Sequence, residues 1–174
     1  MNPVRLPTGY SLERLRQDHP RGKFSCGELL VDQWLATKAL QDQKKRLSVT
    51  SVIMHDSEDI AAYYTLASGQ VGFSELPPQL TKKLPRRILP VAVLAWLGVD
   101  RGRQGLGLGR ITLAQALQDC HVAGQTFPFI AVILDCVGDA AKSFYQHWDF
   151  AELPGHPDRL YLSAQRLDTM MNSK

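Results

Sequence analysis

The chain has few residues of the kinds that mark secreted, membrane-spanning or metal-binding proteins. Only three of its 174 residues are cysteines, without Cys-x-x-Cys spacing, which favours reduced thiols in a cytoplasm over a disulfide framework. The five histidines lack the spacing of metal ligands, so we expect no metal site. No apolar run approaches the roughly 20 residues of a membrane span, and no signal-peptide segment opens the sequence. We therefore expect a cytoplasmic protein that has no place in a membrane.

What is present is the composition of one ordinary globular domain, expected to cover residues 1–174. Hydrophobic residues make up 44% and charged residues 21% of the chain, and the length suffices for a core of its own. The formal net charge is only +3, but the basic residues are concentrated. Between positions 82 and 110 a single acidic residue, Asp100, accompanies Lys82, Lys83, Arg86, Arg87, Arg101, Arg103 and Arg110. Such a cluster attracts a polyanion, although the charges alone leave a merely solvated loop open.

Periodicity along the chain predicts alternating strands and helices. Strands are predicted over Tyr10–Leu15, Leu47–Met54, Ile60–Ser68, Val91–Val99, Phe127–Asp135 and Arg159–Ala164, with a further late strand after Trp148–Phe150. Ser25 and Glu28 have the spacing of a capping box, which predicts a helix that ends near Leu40. Further helices are expected after Gly109 and over Gly138–His147, the first of them joining two parallel strands. The prolines between residues 76 and 90 predict an irregular loop that displays basic side chains.

A glycine-rich loop follows the most apolar of these strands, Val91–Val99. Glycines alternate at positions 105, 107 and 109, where a helical pattern begins. Free N–H groups at a helix start attract phosphate, and glycine lets the backbone approach it closely. The loop lacks the lysine of a Walker motif, and Arg110 stands where a dinucleotide fingerprint needs glycine. The pattern from Gln104 to Gly109 therefore predicts a diphosphate site, with a glycine-rich turn capping a buried helix as the plainer alternative.

The order of several motifs resembles the GNAT N-acetyltransferases, and among them the toxins of bacterial type II toxin–antitoxin pairs. The matching segments are Gln104–Gly109, Phe24–Glu28, Tyr63–Ser68, Leu84–Val91, Leu97–Asp100 and Ala141–Tyr145. The resemblance implies an α/β fold with a twisted, mixed and mostly antiparallel sheet and helices on both faces. It also implies acetyl-coenzyme A (acetyl-CoA) as acetyl donor, the α-amino group of aminoacyl-tRNA as acceptor, and a block of translation. A homodimer and a ribbon–helix–helix antitoxin are implied as partners.

The resemblance also implies roles for residues of this chain. Tyr145 would be the general acid, since a phenol with a pKa near about 10 is protonated at neutral pH and can protonate a thiolate. The Val99 N–H would point at the thioester carbonyl, and Arg101 or Arg103 would reach the ribose phosphate. The expected cofactor-binding residues are Leu97, Gly98, Val99, Arg103, Gln104, Gly105, Leu106, Gly107, Leu108, Gly109, Arg110, Ala141 and Phe144. The expected tRNA contacts are Lys82, Lys83, Arg86 and Arg87, with Tyr64 and Trp96 near the amino-acid pocket.

Two positions depart from the toxin pattern, and one residue type is missing. Trp96 stands where arginine is usual, and Asp149 stands where glycine is usual, although aspartate tolerates left-handed backbone angles better than most residues. No carboxylate that could act as general base lies within Val91–Val99. An α-amine, with a pKa of about 7.7–8.0, needs less help to lose its proton than a lysine side chain at about 10.4. This favours an α-amine acceptor, with two alternatives left open: a GNAT enzyme acting on a small amine or a protein N-terminus, and a non-catalytic basic binding module.

Overall fold

Seven strands of one sheet are hydrogen-bonded in the order β1-β2-β3-β4-β5-β7-β6. In the computed structural model they are β1 (Tyr10–Arg14), β2 (Val49–His55), β3 (Asp59–Gly72), β4 (Ile88–Val99), β5 (Ala131–Asp135), β6 (Ala151–Leu153) and β7 (His156–Ser163). β4 and β5 run parallel, with Ala92 opposite Val132. The pairs β1–β2, β2–β3, β5–β7 and β6–β7 are antiparallel. The mixed, mostly antiparallel sheet and its one predicted parallel pair are confirmed.

Within residues 3–173, which the structure describes, six α-helices accompany the strands. They are α1 (Leu29–Thr37), α2 (Ala39–Lys44), α3 (Pro78–Thr81), α4 (Leu108–Gly124), α5 (Asp139–Gln146) and α6 (Ala164–Asn172). The helices predicted after Gly109 and over Gly138–His147 are confirmed as α4 and α5. The proline-rich segment is less irregular than predicted, because Pro78 starts a one-turn helix at a position that needs no N–H donor. None of these helices is long and apolar enough to span a bilayer.

Helix α6 was not predicted, although its start carries a local signal. Ser163 is the N-cap, and its hydroxyl accepts a hydrogen bond from the Arg166 N–H at 3.1 Å. Leu167 is the buried residue of this short helix. The pattern from Arg159 to Ala164 predicts a final strand that extends past Ser163, and this prediction conceals the capping signal.

The described chain divides into two compact units, the first made of residues 3–67 and 94–119. Its core packs side chains of α1 against those of β2 and β3, among them Leu35, Val52 and Tyr63. The Tyr63 hydroxyl donates to the Val31 carbonyl at 2.6 Å, and its ring meets Phe24 edge-on at 5.3 Å. These contacts fix α1 against β3 inside this unit.

The second unit contains residues 68–93 and 120–173. Its core includes Val71, Leu89, Ile133 and Tyr161. Asp149, which replaces the usual glycine, has a φ of 67°, and its carboxylate accepts a 3.0 Å hydrogen bond from Arg166 Nε on α6. The expectation that aspartate takes the left-handed conformation here is confirmed.

The capping box predicted at Ser25 and Glu28 is wrong. Helix α1 begins at Leu29, and no side chain caps it. The Ser25 N–H instead donates to Asp100 Oδ1 at 3.2 Å, and the Cys26 N–H donates to Asp32 Oδ1 at 2.8 Å. The helical pattern expected to run to Leu40 is divided at Lys38, after which α2 continues to Lys44.

Candidate active site

The C-terminal end of β4 lies tightly against α1 in the first unit. A Cβ atom on Gly98 would lie 2.9 Å from Val31 Cγ1 and 3.2 Å from Phe24 Cζ. Beyond Val99 the chain remains fixed, because the Asp100 N–H donates to the Ala61 carbonyl at 2.8 Å. Gly98 therefore has a packing role at this contact.

The loop after β4 presents backbone donors at the start of a long helix. Gly105 and Gly107 have φ values of 81° and 78°, which favour glycine, and nothing lies within 4 Å of a Cβ built on either. Helix α4 begins at Leu108, and the Ile111 N–H bonds back to the Gly107 carbonyl at 3.3 Å. The N–H groups of Gly109 and Arg110 precede that bond and lie at the positive end of the helix.

This arrangement has the features of an anion-binding site. Side chains at 105 and 107 would extend into the open space beside the backbone donors, and glycine leaves that space free for an anion. Arg103 adds positive charge on the same loop: its guanidinium lies 3.7 Å from the Asp59 carboxylate, and its buried Nε has no hydrogen-bond partner within residues 3–173. Arg103 also lines a cleft of ≈ 200 Å³ together with Lys23, Phe24, Asp59, Ile60 and Asp100.

Gln104, predicted to lie beside the diphosphate, directs its side-chain amide at backbone carbonyls. Its Nε2 donates to the Cys26 carbonyl at 2.8 Å and to the Val99 carbonyl at 2.9 Å. Sequence spacing does not indicate the bond to Cys26, which lies 78 residues from Gln104 along the chain. The amide ties the segment before α1 to the end of β4.

Tyr145 lies in the second unit, on α5, within an aromatic cluster. Its ring is buried and meets Phe144 at 5.2 Å and Phe150 at 5.8 Å, both edge-on. Burial, together with the nearby Cys136, raises the pKa of the Tyr145 phenol above its usual value. The hydroxyl forms no hydrogen bond within the described chain, so its proton can be donated to a ligand. Ala141 and Phe144, the other residues predicted on this helix, are half-buried.

The two residues predicted near the amino-acid pocket have different environments in the first unit. Trp96 is half-buried and stacks on Trp34 of α1, with ring centroids 5.2 Å apart and planes 13° from parallel. The Trp34 ring is held by a bond from its Nε1 to Thr65 Oγ1 at 3.2 Å. Tyr64 is only 1% exposed, and its hydroxyl donates to Asp119. The helical spacing predicts a core position for Trp34, and the structure confirms that it packs against the core of this unit; its stacking on Trp96 is a contact that the spacing does not indicate.

The predicted tRNA contacts lie on the exposed segment after α3 in the second unit. Lys82, Lys83, Arg86 and Arg87 are all exposed, and no ion pair engages any of them within residues 3–173. The Arg86 guanidinium lies over the Phe73 ring, 5.7 Å from its centroid. This segment therefore presents positive charge that acidic side chains do not neutralise. The same residues 3–173 contain no group of three or more histidines, cysteines or acidic residues that could hold a metal ion.

Comparison with known proteins identifies the family. No protein-family model matches the chain. It is 33% identical over 156 residues to a tRNA-acetylating toxin of Mycobacterium tuberculosis (strain ATCC 25618 / H37Rv), covering 89% of this chain and 93% of that protein. The fold matches that of AtaT complexed with acetyl-methionyl-tRNAfMet, with a TM-score of 0.85, 21% identity, and coverage of 94% of this chain and 99% of AtaT.

A second solved structure confirms the fold. It is an AtaT mutant toxin bound to the C-terminus of the antitoxin AtaR and acetyl-CoA, with a TM-score of 0.80 and 18% identity over 95% of this chain and 99% of that one. Both structures have the GNAT fold expected from the motifs. Because the mycobacterial relative exceeds 30% identity over most of both chains, this chain belongs to the tRNA-acetylating toxins, the branch of the GNAT acetyltransferases that its motifs resemble.

Proposed function

We propose that this protein transfers the acetyl group of acetyl-CoA to the α-amino group of an aminoacyl-tRNA and thereby blocks translation. The observation that carries the proposal is the 33% identity with a tRNA-acetylating toxin over 89% of the chain. The loop after β4 supports it, because its open glycines and free N–H groups suit a diphosphate. A cytoplasmic location follows from this substrate, since charged tRNA is used there.

The end of β4 and the loop after it hold the acetyl donor, which supplies a thioester-activated acetyl group. Leu97, Gly98 and Val99 line its pantetheine arm, and the Val99 N–H donates to the carbonyl oxygen where negative charge develops; one such donor contributes about 100-fold or more to the rate. The backbone N–H groups of the loop hold the diphosphate, with Arg103 adding positive charge. The residues assigned to this loop are Gly105, Leu106, Gly107, Leu108, Gly109 and Arg110, and Ala141 and Phe144 are assigned to the pantetheine side.

Tyr145 acts as general acid and protonates the departing thiolate. Because burial raises the pKa of its phenol, the proton is retained throughout the physiological pH range. The hydroxyl has no partner within residues 3–173 that would compete for this role. The absence of a carboxylate from Val91–Val99 agrees with an α-amine acceptor, which is appreciably neutral without a strong general base.

The acceptor is held by charge and by aromatic contact. Lys82, Lys83, Arg86 and Arg87 contact tRNA phosphates, which provides affinity that falls as salt rises. The stacked rings of Trp34 and Trp96 form an aromatic surface for the amino-acid side chain. Tyr64 is buried and bonded to Asp119, so we assign the amino-acid contact to Trp96 first. A homodimer and a small ribbon–helix–helix antitoxin complete the proposed assembly.

Transfer to purified charged tRNA tests the proposal. The protein is incubated with labelled acetyl-CoA and aminoacyl-tRNA, the ester is hydrolysed, and the released N-acetyl amino acid is identified by mass. Tyr145→Phe should lower kcat by about 100-fold or more, with little change in Tm, because no hydrogen bond within the described chain is lost. Tyr161→Phe is the matched control: it removes the hydroxyl of another buried tyrosine of the same unit, one bonded to Gln79, and should leave kcat unaffected.

Two results would contradict the proposal in different ways. Acetylation of small amines or peptide N-termini, with charged tRNA left unmodified, would indicate a GNAT enzyme of another substrate class. Binding of charged tRNA without transfer, equally in the wild type and Tyr145→Phe, would indicate a binding module that has the fold but not the chemistry.

A further inference from the structure

We propose that Gln104 is a positioning residue that fixes the peptide group between Val99 and Asp100, and is not a ligand of the diphosphate. This inference rests on the proposed function, since it concerns the N–H that Val99 offers to the thioester. It changes the role expected for the first residue of the glycine-rich motif.

The side-chain amide of Gln104 has two N–H donors, and both are engaged. The nitrogen that carries them, Nε2, lies 2.8 Å from the carbonyl oxygen of Cys26 and 2.9 Å from that of Val99. Because both neighbours are carbonyl oxygens, only the nitrogen end of the amide can face them, which fixes its orientation. The remaining polar atom, Oε1, is an acceptor and repels a phosphate oxygen. Gln104 in this conformation therefore has no donor to offer a diphosphate.

The carbonyl that Gln104 holds belongs to a peptide group fixed at both ends. The Val99 carbonyl accepts from Gln104, and the N–H of the same peptide group, on Asp100, donates to the Ala61 carbonyl at 2.8 Å. A peptide group is planar, so two bonds on opposite edges prevent its rotation. The backbone dihedrals of Val99 connect this fixed peptide group to the N–H of Val99 and so determine where that N–H points. The Val99 N–H is the proposed hydrogen-bond donor to the oxyanion.

The second carbonyl, that of Cys26, links this peptide group to the segment before α1. Asp100 Oδ1 accepts from the Ser25 N–H at 3.2 Å, and the Arg101 N–H donates to the Ser25 carbonyl at 2.8 Å. Gly27, with a φ of 99°, lies against the Arg101 guanidinium, where a Cβ would be 3.3 Å from Nε. Gln104 therefore completes a closed set of bonds that joins two segments at the end of β4.

Two acetyl donors separate positioning from phosphate binding. Acetyl-pantetheine carries the same thioester as acetyl-CoA but no diphosphate. For Gln104→Glu, which has a similar shape and no N–H donors, we expect kcat to fall about tenfold with both donors, as expected for a small misplacement of a catalytic group. Gly107→Ala gives the contrasting pattern of a diphosphate-site defect, in which KM for acetyl-CoA rises more than KM for acetyl-pantetheine. A Gln104→Glu defect confined to the KM for acetyl-CoA would overturn the proposal.

Amide hydrogen exchange in the cofactor-free protein supplies a test that needs no activity. The Asp100 and Arg101 N–H groups donate to the Ala61 and Ser25 carbonyls. They should exchange about fivefold faster in Gln104→Glu than in the wild type, because one hydrogen bond of this set is worth about 1 kcal/mol. Unchanged exchange would overturn the positioning role. Amide exchange of Gln104→Ala is measured in parallel, and Tm is recorded for both Gln104 variants. If the wild type fails to acetylate charged tRNA, the proposed function falls, and the exchange result still decides the role of Gln104.

Discussion

Gly98→Ala is predicted to displace α1 from the end of β4. The added Cβ would lie 2.9 Å from Val31 Cγ1 and 3.2 Å from Phe24 Cζ, whereas non-bonded carbon atoms prefer about 3.5–4.0 Å. The neighbours must therefore retreat by about 0.6 Å or more. Overpacking of this kind costs about 1–3 kcal/mol of unfolding free energy. In a chain of this length each kcal/mol lowers Tm by about 2–4 °C.

Denaturant unfolding of a double-mutant cycle measures the clash. Val31→Ala removes the methyl group that the new Cβ would meet, at its own cost in lost packing. Because the second substitution relieves the first, the double variant should be more stable than the sum of the single effects predicts, by about 1 kcal/mol. Gly22→Ala is the matched control, since nothing lies within 4 Å of a Cβ built there. Its stability should remain close to that of the wild type.

The same variant should also lose activity, because Leu97–Val99 is the segment proposed to lie along the pantetheine. We expect kcat to fall in Gly98→Ala and to recover partly when Val31→Ala is added. Wild-type stability in Gly98→Ala, or strictly additive effects in the cycle, would refute the packing argument. Full activity at reduced stability would refute the link between this contact and the position of β4.

Two further predictions concern the first unit. Trp96→Ala removes one ring of the stacked pair with Trp34 and should change which charged tRNAs are acetylated, while the affinity for acetyl-CoA is retained. Mass analysis of the products formed from a mixture of charged tRNAs measures this change. An unchanged product distribution would contradict the assignment of the amino-acid contact to Trp96. Burial and the Asp32 carboxylate raise the pKa of the Cys26 thiol to about 11, so its alkylation by iodoacetamide at pH 8 should be slow and should accelerate with pH up to about 11. Asp32→Asn removes the charge and should speed the reaction at pH 8; an alkylation midpoint at the usual thiol pKa in the wild type would contradict the assignment.

The main elements of the sheet could be predicted from local sequence. β4 is a nearly continuous apolar run, and β2 and β3 are stretches rich in apolar residues on either side of the polar turn at residues 56–58. Local hydrophobicity therefore predicts all three strands. The glycines at 105 and 107 indicated the loop, because their positive φ values are a local property of the backbone. Asp149 was predictable for the same reason.

What the sequence did not predict depends on partners that are distant along the chain. Ser25 and Glu28 satisfy the spacing rule for a capping box, yet Asp100 takes the Ser25 N–H and the helix begins later. The stacking of Trp34 on Trp96 likewise joins two elements whose spacing carries no signal. In both cases the local sequence indicates which residues can form a cap or a core contact, and tertiary contacts determine which partner each residue takes.

The proposed acetyl-CoA site is built from backbone N–H groups. The side chains important for binding are therefore those that hold the backbone in place. A backbone N–H can point correctly only if neighbouring side chains hold the backbone. Asp100 does so by accepting the Gly102 N–H at 3.1 Å, and Gln104 by holding two carbonyls. Leu106, in contrast, is 69% exposed and offers the loop only its amide. The loss of activity on substitution should therefore depend on the hydrogen bonds that hold the loop, not on proximity to the diphosphate. Leu106, inside the motif, should tolerate substitution better than Asp100, which precedes the motif.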